Sequence, residues 1–446
     1  MPEISVNSDC PMEMAAFSAP TRTALKAELE KFFQSTPSDF EAIRKAARFS
    51  RDVFSVKAPC RLTLVFDPET DISAVKERLW YHLDNTHAAH WNEKQVYFAE
   101  TEKCRKLGWV FPGQGSQYLK MGAELVNWMP ESGEILEQAD IAFGQQDKLS
   151  RIIFPGPAED KAERNLQENR LRQTDAAQPA IGTLSLAMCS ALGRFSVFPN
   201  ATCGHSYGEL TALHAAGRIS REDFFKLSVA RGRFMAEAGE QAGDPGAMMA
   251  VKAPIDEIPD LIAEHGLDLV LANRNSPDQG VISGPTADIE KMAEIFKARH
   301  IRALKLPVAA AFHSRLVESA ARPFQDTLEP ISFLNSSVPV YSNTTGRPYP
   351  ADGASAKALL GRHLMNPVNF IDDIEAMYAE GVDTFIEVGP KAVLTGLVRS
   401  ILKGRDHTAI ALDTSSGRSS GVRDLAATLA QLAAFGHFVD LTAWDG

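Results

Sequence analysis

Apolar and polar residues follow helical and strand periods in the first part of this chain. Apolar positions recur with helical spacing over Ala24–Phe33, Asp39–Ala47 and Ile72–Leu83. Between the second and third of these helices, Arg61–Phe66 alternates as a half-buried strand does. These patterns predict that residues 1–105 form a separate α+β unit. None of them contains a motif that indicates a catalytic or binding site.

The pattern changes beyond this unit. Gly108–Pro112 reads as a short apolar strand, and helices then alternate with short strands, which is typical of a parallel α/β sheet. We expect a large, hydrolase-like subdomain made of residues 106–245 and 309–402. The final segment, 403–446, contains one amphipathic helix over Val422–Phe435.

Residues 246–308 form an island with a different order. Ala247–Val251 reads as a strand, and a helix follows it. Leu267–Ala272 and Gly280–Ser283 read as two strands around a turn rich in Asn and Pro, before a second helix and a last strand. The order βαββαβ predicts an inserted ferredoxin-like small subdomain.

Composition and charge exclude several classes of protein. The net charge of -11 disfavours a nucleic-acid binder, and no apolar run is long enough for a membrane span. The five cysteines are scattered without a CxxC pair, so neither disulfides nor a metal site is indicated, and a reducing cytoplasm fits best. The polar, acidic N-terminus lacks the pattern of a secretory signal.

The most specific local signal is GHSYGE at Gly204–Glu209. A short apolar stretch precedes it, and a helix that stops at Gly217 follows it. This order is the strand-turn-helix setting of a nucleophile elbow, in which Ser206 would lie above a helix N-terminus that favours negative charge. The alternative is an ordinary helix start with Ser206 as N-cap.

Three further features are candidates for chemistry. His313, which follows the small subdomain in the chain, is the best candidate for the base that activates Ser206. The alternative is a partly buried histidine whose hydrogen bonds are purely structural. The glycine-rich turn Gly113–Gln117 would allow a ligand to approach the backbone closely. The alternative is a turn with a structural role only. Arg231 can grip a carboxylate with two parallel hydrogen bonds, or lies on a solvated helix face.

Five motifs together resemble the malonyl-CoA:acyl-carrier-protein acyltransferase family, and above all the acyltransferase domains of polyketide and polyunsaturated-fatty-acid synthases. They occur in the family's order over about residues 106 to 402: Val110–Gln117 (VFPGQGSQ), Gly204–Glu209 (GHSYGE), Ala230–Gly232 (ARG), Ala311–Ser314 (AFHS) and Glu387–Pro390 (EVGP). Residues 1–105 resemble the linker between a ketosynthase and such a domain. Residues 403–446 resemble the strap that returns along this linker.

The resemblance implies roles for eight residues. Ser206 is expected as the nucleophile and His313 as the general base, in a dyad rather than a full triad. The remaining roles are an oxyanion hole from the backbone N–H groups of Gln114 and Tyr207, an orienting group at Asn366, and substrate contacts from Arg231, Phe312 and His205. No metal and no bound cofactor are expected.

The implied reaction moves a short acyl group, best matched by malonyl, from coenzyme A to the phosphopantetheine thiol of an acyl carrier protein. A flanking ketosynthase is the other expected partner. Ala310 stands where family members selecting malonyl often have His, whereas Phe312 is kept and fills space that an α-methyl group needs. The rivals are a thioesterase, with His363 or His407 as base, and a docking domain without activity.

Overall fold

The computed structural model describes residues 10, 12–35, 40–101, 105–144, 147–241, 243–308 and 310–445. Asp39, the expected start of the second helix, and Ala309, an expected domain boundary, lie outside the described residues. None of the described helices combines the length and the apolar character that crossing a bilayer requires.

The N-terminal unit is an antiparallel sheet with three helices. Its elements are β1 (Glu13–Ala19), α1 (Arg22–Ser35), α2 (Phe40–Asp52), β2 (Cys60–Phe66), α3 (Ile72–Asn85), β3 (His90–Glu93) and β4 (Val96–Glu100). The strand order is β1-β2-β4-β3. The three predicted helices and the predicted strand are all present, whereas β1, β3 and β4 had no counterpart in the sequence reading.

The large sheet begins with the next strand. The chain runs through β5 (Lys106–Phe111), α4 (Ala123–Trp128), α5 (Glu131–Phe143), α6 (Leu149–Ile153), α7 (Lys161–Arg172), α8 (Thr174–Arg194), β6 (Ala201–Gly204), α9 (Gly208–Ala215) and α10 (Arg221–Gln241). Helix α8 is buried on nearly every side, which its apolar and small residues permit.

The inserted sheet has the expected ferredoxin-like order. Its elements are β7 (Ala247–Lys252), α11 (Glu257–Glu264), β8 (Val270–Ser276), β9 (Gln279–Gly284), α12 (Thr286–Ala298) and β10 (Arg302–Lys305). All pairings are antiparallel, in the order β10-β7-β9-β8. The predicted turn rich in Asn and Pro is shorter than expected, because β8 continues to Ser276. Asn273 and Asn275 therefore lie in the strand, where both are buried and the register with β9 is twice irregular.

The chain then returns to the large sheet. The last elements are α13 (Glu318–Leu328), β11 (Val340–Ser342), β12 (Arg347–Pro348), α14 (Gly353–Arg362), α15 (Phe370–Ala379), β13 (Val382–Glu387), α16 (Val393–Ile401), β14 (Thr408–Ala411) and α17 (Gly421–Ala434). The sheet order is β12-β11-β6-β5-β13-β14, and every pair is parallel except β11 with β12. The α/β fold class is therefore confirmed.

Helix α17 explains why strand β2 departs from the expected half-buried pattern. Every residue of β2 is buried, because this helix covers the face that the alternation assigned to solvent. Arg61 Nε donates to the Ala434 carbonyl oxygen at 2.9 Å, and Thr63 Oγ1 donates to that of Ala430 at 2.7 Å. The C-terminal segment thus packs on the N-terminal sheet, whereas the exact domain boundaries stay a prediction.

Candidate active site

The GHSYGE motif forms a sharp turn between β6 and α9. Ser206 has a φ of 51°, in the left-handed region that residues with a side chain rarely adopt. A Cβ on Gly204 would lie 1.9 Å from the Gly208 carbonyl carbon, and one on Gly208 would lie 2.0 Å from the Phe111 carbonyl oxygen. Only glycine fits at these two positions, so the chain turns tightly enough to present Ser206 at the edge of the sheet.

His313 lies beside Ser206. The distance from Ser206 Oγ to His313 Nε2 is 2.7 Å, and His313 Nδ1 lies 2.9 Å from the Asn366 carbonyl oxygen. Because a carbonyl oxygen only accepts, Nδ1 carries the proton and Nε2 is left to accept from Ser206. Burial, reinforced by the nearby Arg231, lowers the pKa of His313 to about 3, which keeps the imidazole neutral.

Asn366 reaches this histidine through its backbone. Its side-chain amide Nδ2 turns away and donates to the Arg362 carbonyl oxygen at 2.6 Å. Asn366 thus contacts His313, as expected from the sequence, but through a main-chain carbonyl that any residue would supply.

Arg231 is buried beneath Ser206. Its side chain is only 1% exposed, which rules out the solvated helix face. Nη1 donates to Gln178 Oε1 at 2.6 Å, and Nη2 lies 3.5 Å from Ser206 Oγ. Burial lowers the pKa of Arg231 to about 10, so the group stays cationic at neutral pH. Among the described residues no carboxylate forms an ion pair with it, which leaves a buried positive charge facing the serine.

Two backbone N–H groups near Ser206 have no acceptor among the described residues. Neither the Gln114 N–H nor the Tyr207 N–H has a hydrogen-bond acceptor within the described part of the chain. The loop that carries Gln114 is pressed against the elbow, since a Cβ on Gly113 would lie 2.4 Å from the His205 carbonyl oxygen. The Gln114 side chain is engaged elsewhere, and its Nε2 donates to Thr174 Oγ1 at 3.2 Å.

The Tyr207 side chain extends into the core. It is fully buried, and its hydroxyl lies 2.5 Å from Ser228 Oγ. Gly182 makes this possible, because a Cβ there would lie 2.1 Å from the Tyr207 hydroxyl oxygen. The ring lies beside Arg231, with 5.9 Å between the guanidinium carbon and the ring centroid.

His205 contacts the small subdomain, and Phe312 is buried next to His313 in the chain. His205 Nε2 lies 2.7 Å from Asn275 Oδ1 on β8, and its ring packs against Phe370 with 5.6 Å between the centroids. Phe312 is 6% exposed, immediately before His313. The Nε2 atom of His205 is thus engaged by Asn275. The predicted contact of His205 with substrate would have to involve the other atoms of its ring.

Sequence reasoning missed three polar residues around the serine. Gln178 holds Arg231, Asn275 holds His205, and Asn343 accepts from the Ser206 N–H at 2.8 Å. Asn343 did carry a signal, because it directly follows the short strand β11, and side chains after parallel strands gather at one sheet edge. Gln178 lies in the second turn of α8 and had no such signal.

The rival histidines do not reach the serine. His363 packs beside His313, with 5.6 Å between the ring centroids, and its Nε2 lies 3.7 Å from Glu209 Oε2. His407 Nδ1 lies 2.9 Å from the Arg405 carbonyl oxygen, far along the chain after β13. Of the described histidines, His313 is the one that lies within hydrogen-bond distance of Ser206 Oγ.

Two curated proteins illustrate what the chain resembles. It is 38% identical over 301 residues to the malonyl CoA-acyl carrier protein transacylase of Bacillus subtilis, an alignment that covers 66% of this chain and 90% of that protein. It is 33% identical over 350 residues to polyketide synthase GfsA of Streptomyces halstedii, which covers 78% of this chain but only 5% of the synthase.

A solved structure extends the likeness to the whole chain. The acyltransferase domain from the second module of the salinomycin polyketide synthase superimposes with a TM-score of 0.73 at 26% identity, covering 96% of this chain and 95% of that one. The model of the acyl transferase domain family matches residues 108–431. The elbow, the serine-histidine pair and the buried arginine lie within this match, and the chain belongs to the acyl transferase domain family.

Proposed function

We propose that this acyltransferase moves a malonyl group from coenzyme A to the phosphopantetheine thiol of an acyl carrier protein, through an ester on Ser206. The observation that carries the proposal is the 2.7 Å contact from Ser206 Oγ to His313 Nε2, with the Arg231 cation, which has no ion-pair partner among the described residues, buried beside it. The first contact suits acyl transfer in general, whereas the second suits an acyl group that bears a free carboxylate.

The first half-reaction forms the ester. His313 Nε2 takes the proton of Ser206, and Oγ attacks the thioester carbonyl carbon. The carbonyl oxygen becomes an oxyanion and accepts from the free N–H groups of Gln114 and Tyr207. When the intermediate collapses, the carbon-sulfur bond breaks, and the coenzyme A thiolate takes the proton from His313.

The second half-reaction runs the same steps with the carrier thiol. His313 takes the thiol proton, the sulfur attacks the malonyl ester, and the same N–H groups hold the oxyanion. Ser206 leaves as alkoxide and recovers its proton from His313. Burial lowers the pKa of His313, so its imidazole is neutral and can accept a proton at the start of each half-reaction.

Arg231 and Phe312 are proposed to select the acyl group. The guanidinium offers the malonyl carboxylate a fixed set of donors that acetyl cannot use. Phe312 fills the space beside His313 in which a methylmalonyl branch would stand, although Ala310 replaces the histidine common in malonyl-selective relatives. We therefore propose that malonyl is preferred over both alternatives.

A hydrolase is not favoured. The rival bases His363 and His407 lie away from Ser206 Oγ, and an esterase has no need for a buried cation without a carboxylate partner. The resemblance of the N-terminal unit to a ketosynthase linker, together with its packing against α17, supports a neighbouring ketosynthase as a second partner.

Intact-protein mass spectrometry tests the proposal directly. The protein is mixed with malonyl-CoA, acetyl-CoA and methylmalonyl-CoA in competition, and the mass gained by the chain identifies the acyl group. We expect a malonyl adduct that passes to a phosphopantetheinylated carrier protein and is absent in Ser206→Ala. Equal loading of methylmalonyl would contradict the role of Phe312, and release of free malonate without transfer would favour the hydrolase.

A further inference from the structure

The buried side chain of Asn343 binds the elbow at several points. Asn343 is fully buried directly after β11, which lies beside β6 in the sheet. Its Oδ1 accepts from the Ser206 N–H at 2.8 Å, and its Nδ2 donates to the Gly204 carbonyl oxygen at 2.6 Å. One amide therefore holds the residue two before the serine and the serine itself.

The same residue also holds the start of helix α9. The backbone N–H of Asn343 donates to Glu209 Oε2 at 2.7 Å, and Glu209 accepts further from the hydroxyls of Ser342 and Tyr349. On the other side, Asn343 Nδ2 donates to Asp373 Oδ2 at 2.6 Å in the first turn of α15. The three parts of the elbow, namely strand end, serine and helix start, are thus tied to one residue that directly follows the neighbouring strand.

We propose that Asn343 is a positioning residue for acyl transfer, a role that rests on the proposed function of Ser206. Ser206 holds a left-handed φ of 51°, an unfavourable backbone conformation that persists only where the surroundings fix it. The hydrogen bond to its N–H fixes the peptide before the serine, and with it the direction of the Cα–Cβ bond toward His313. Relaxation of this peptide would move Oγ away from Nε2.

The contact also decides which backbone donors serve the oxyanion. Because the Ser206 N–H donates to Asn343, it is not available to an oxyanion. The N–H groups of Tyr207 and Gln114 remain without acceptors among the described residues. Asn343 therefore aligns the serine oxygen and leaves the next N–H, that of Tyr207, directed at the developing charge.

The test measures the rate at which Ser206 is acylated in Asn343→Ala. Malonyl loading is followed by rapid quench and intact mass over a range of malonyl-CoA concentrations, per folded molecule as counted by near-ultraviolet circular dichroism. We expect the maximal loading rate to fall about 100-fold, since a misplacement of about 1 Å costs about this factor. The half-saturating concentration should change less than about threefold, because Arg231 is held separately by Gln178.

Two more variants separate positioning from stability. Thr63→Val deletes a buried hydrogen bond in the N-terminal sheet, so it should lower the melting temperature while the loading rate of folded protein stays unchanged. Asn343→Asp keeps the acceptor for the Ser206 N–H but loses the donors to Gly204 and Asp373, so its loading rate should lie between those of wild type and Asn343→Ala.

A second probe makes the outcome independent of the natural substrate. Phenylmethanesulfonyl fluoride sulfonylates an activated serine oxygen with loss of fluoride, and the wild-type rate should likewise exceed that of Asn343→Ala by about 100-fold. Failure of wild type to load malonyl, with this difference intact, would refute the proposed substrate but support the positioning role. Folded Asn343→Ala that loads malonyl or reacts with the probe within about threefold of wild type would overturn the role.

Discussion

Replacing Arg231 by alanine removes the one cation that faces Ser206 Oγ in the described part of the site. The guanidinium has five N–H donors, of which two are engaged by Gln178 and Ser206. We expect the remaining donors to bind the malonyl carboxylate. In Arg231→Ala this carboxylate would be buried without a partner, whereas an acetyl group would lose nothing comparable.

The magnitude follows from the burial of the site. A hydrogen bond to a charged group contributes about 1.5 to 3 kcal/mol, so loss of a two-pronged contact costs about 3 to 4 kcal/mol after partial compensation. At about 1.4 kcal/mol per factor of ten, the ratio of malonyl to acetyl loading should fall by about 100-fold or more. Arg231→Lys should recover part of it, since it keeps the charge but loses the planar fork.

The assay is the competition between malonyl-CoA and acetyl-CoA read by intact mass. Arg233→Ala is the matched control, because Arg233 lies two residues further on the same helix, with its side chain 59% exposed and 3.6 Å from the carboxylate of Glu237. This variant should keep the wild-type ratio. A malonyl preference that survives in folded Arg231→Ala would refute the carboxylate clamp.

Two further outcomes follow from the geometry. Because burial lowers the pKa of His313 to about 3, the imidazole stays in its basic form, and rapid-quench loading rates should stay flat from about pH 5 to 8 and fall only as the pH drops toward 3. A rate that rises with a midpoint near 6.5 would contradict this. Gly182→Ala should lower the free energy of unfolding in urea by about 1 to 3 kcal/mol, because its Cβ would lie 2.1 Å from the Tyr207 hydroxyl oxygen. The loss should be smaller in a Tyr207→Phe background, and equal losses in both backgrounds would show that the crowding lies elsewhere.

The structure changes how two sequence features are understood. The sequence assigned only the backbone N–H of Tyr207 a role, whereas the structure shows that its side chain fills a space left by Gly182. The alternation in Arg61–Phe66 predicted one solvated face, yet α17 covers it. Both answers depend on residues far away in the chain, which no local pattern contains.

The sequence by itself determined those features that depend on residues close together in the chain. Two glycines around Ser206 suffice to predict the elbow, because their steric need is local, and the order βαββαβ suffices for the inserted sheet. The five motifs added the family and nominated both Ser206 and His313, which lie far apart in the chain.

Only the tertiary structure decided how these residues are held. The group that contacts His313 Nδ1 is a backbone carbonyl. Because every residue has such a carbonyl, the residue type at this position could not reveal the contact. Gln178 and Asn343 act through contacts that span 53 and 137 residues, which exist only once helices and strands have packed. The type of each side chain can be read from the sequence at its own position. The burial and alignment that give Ser206 and Arg231 their properties arise instead from contacts between distant segments.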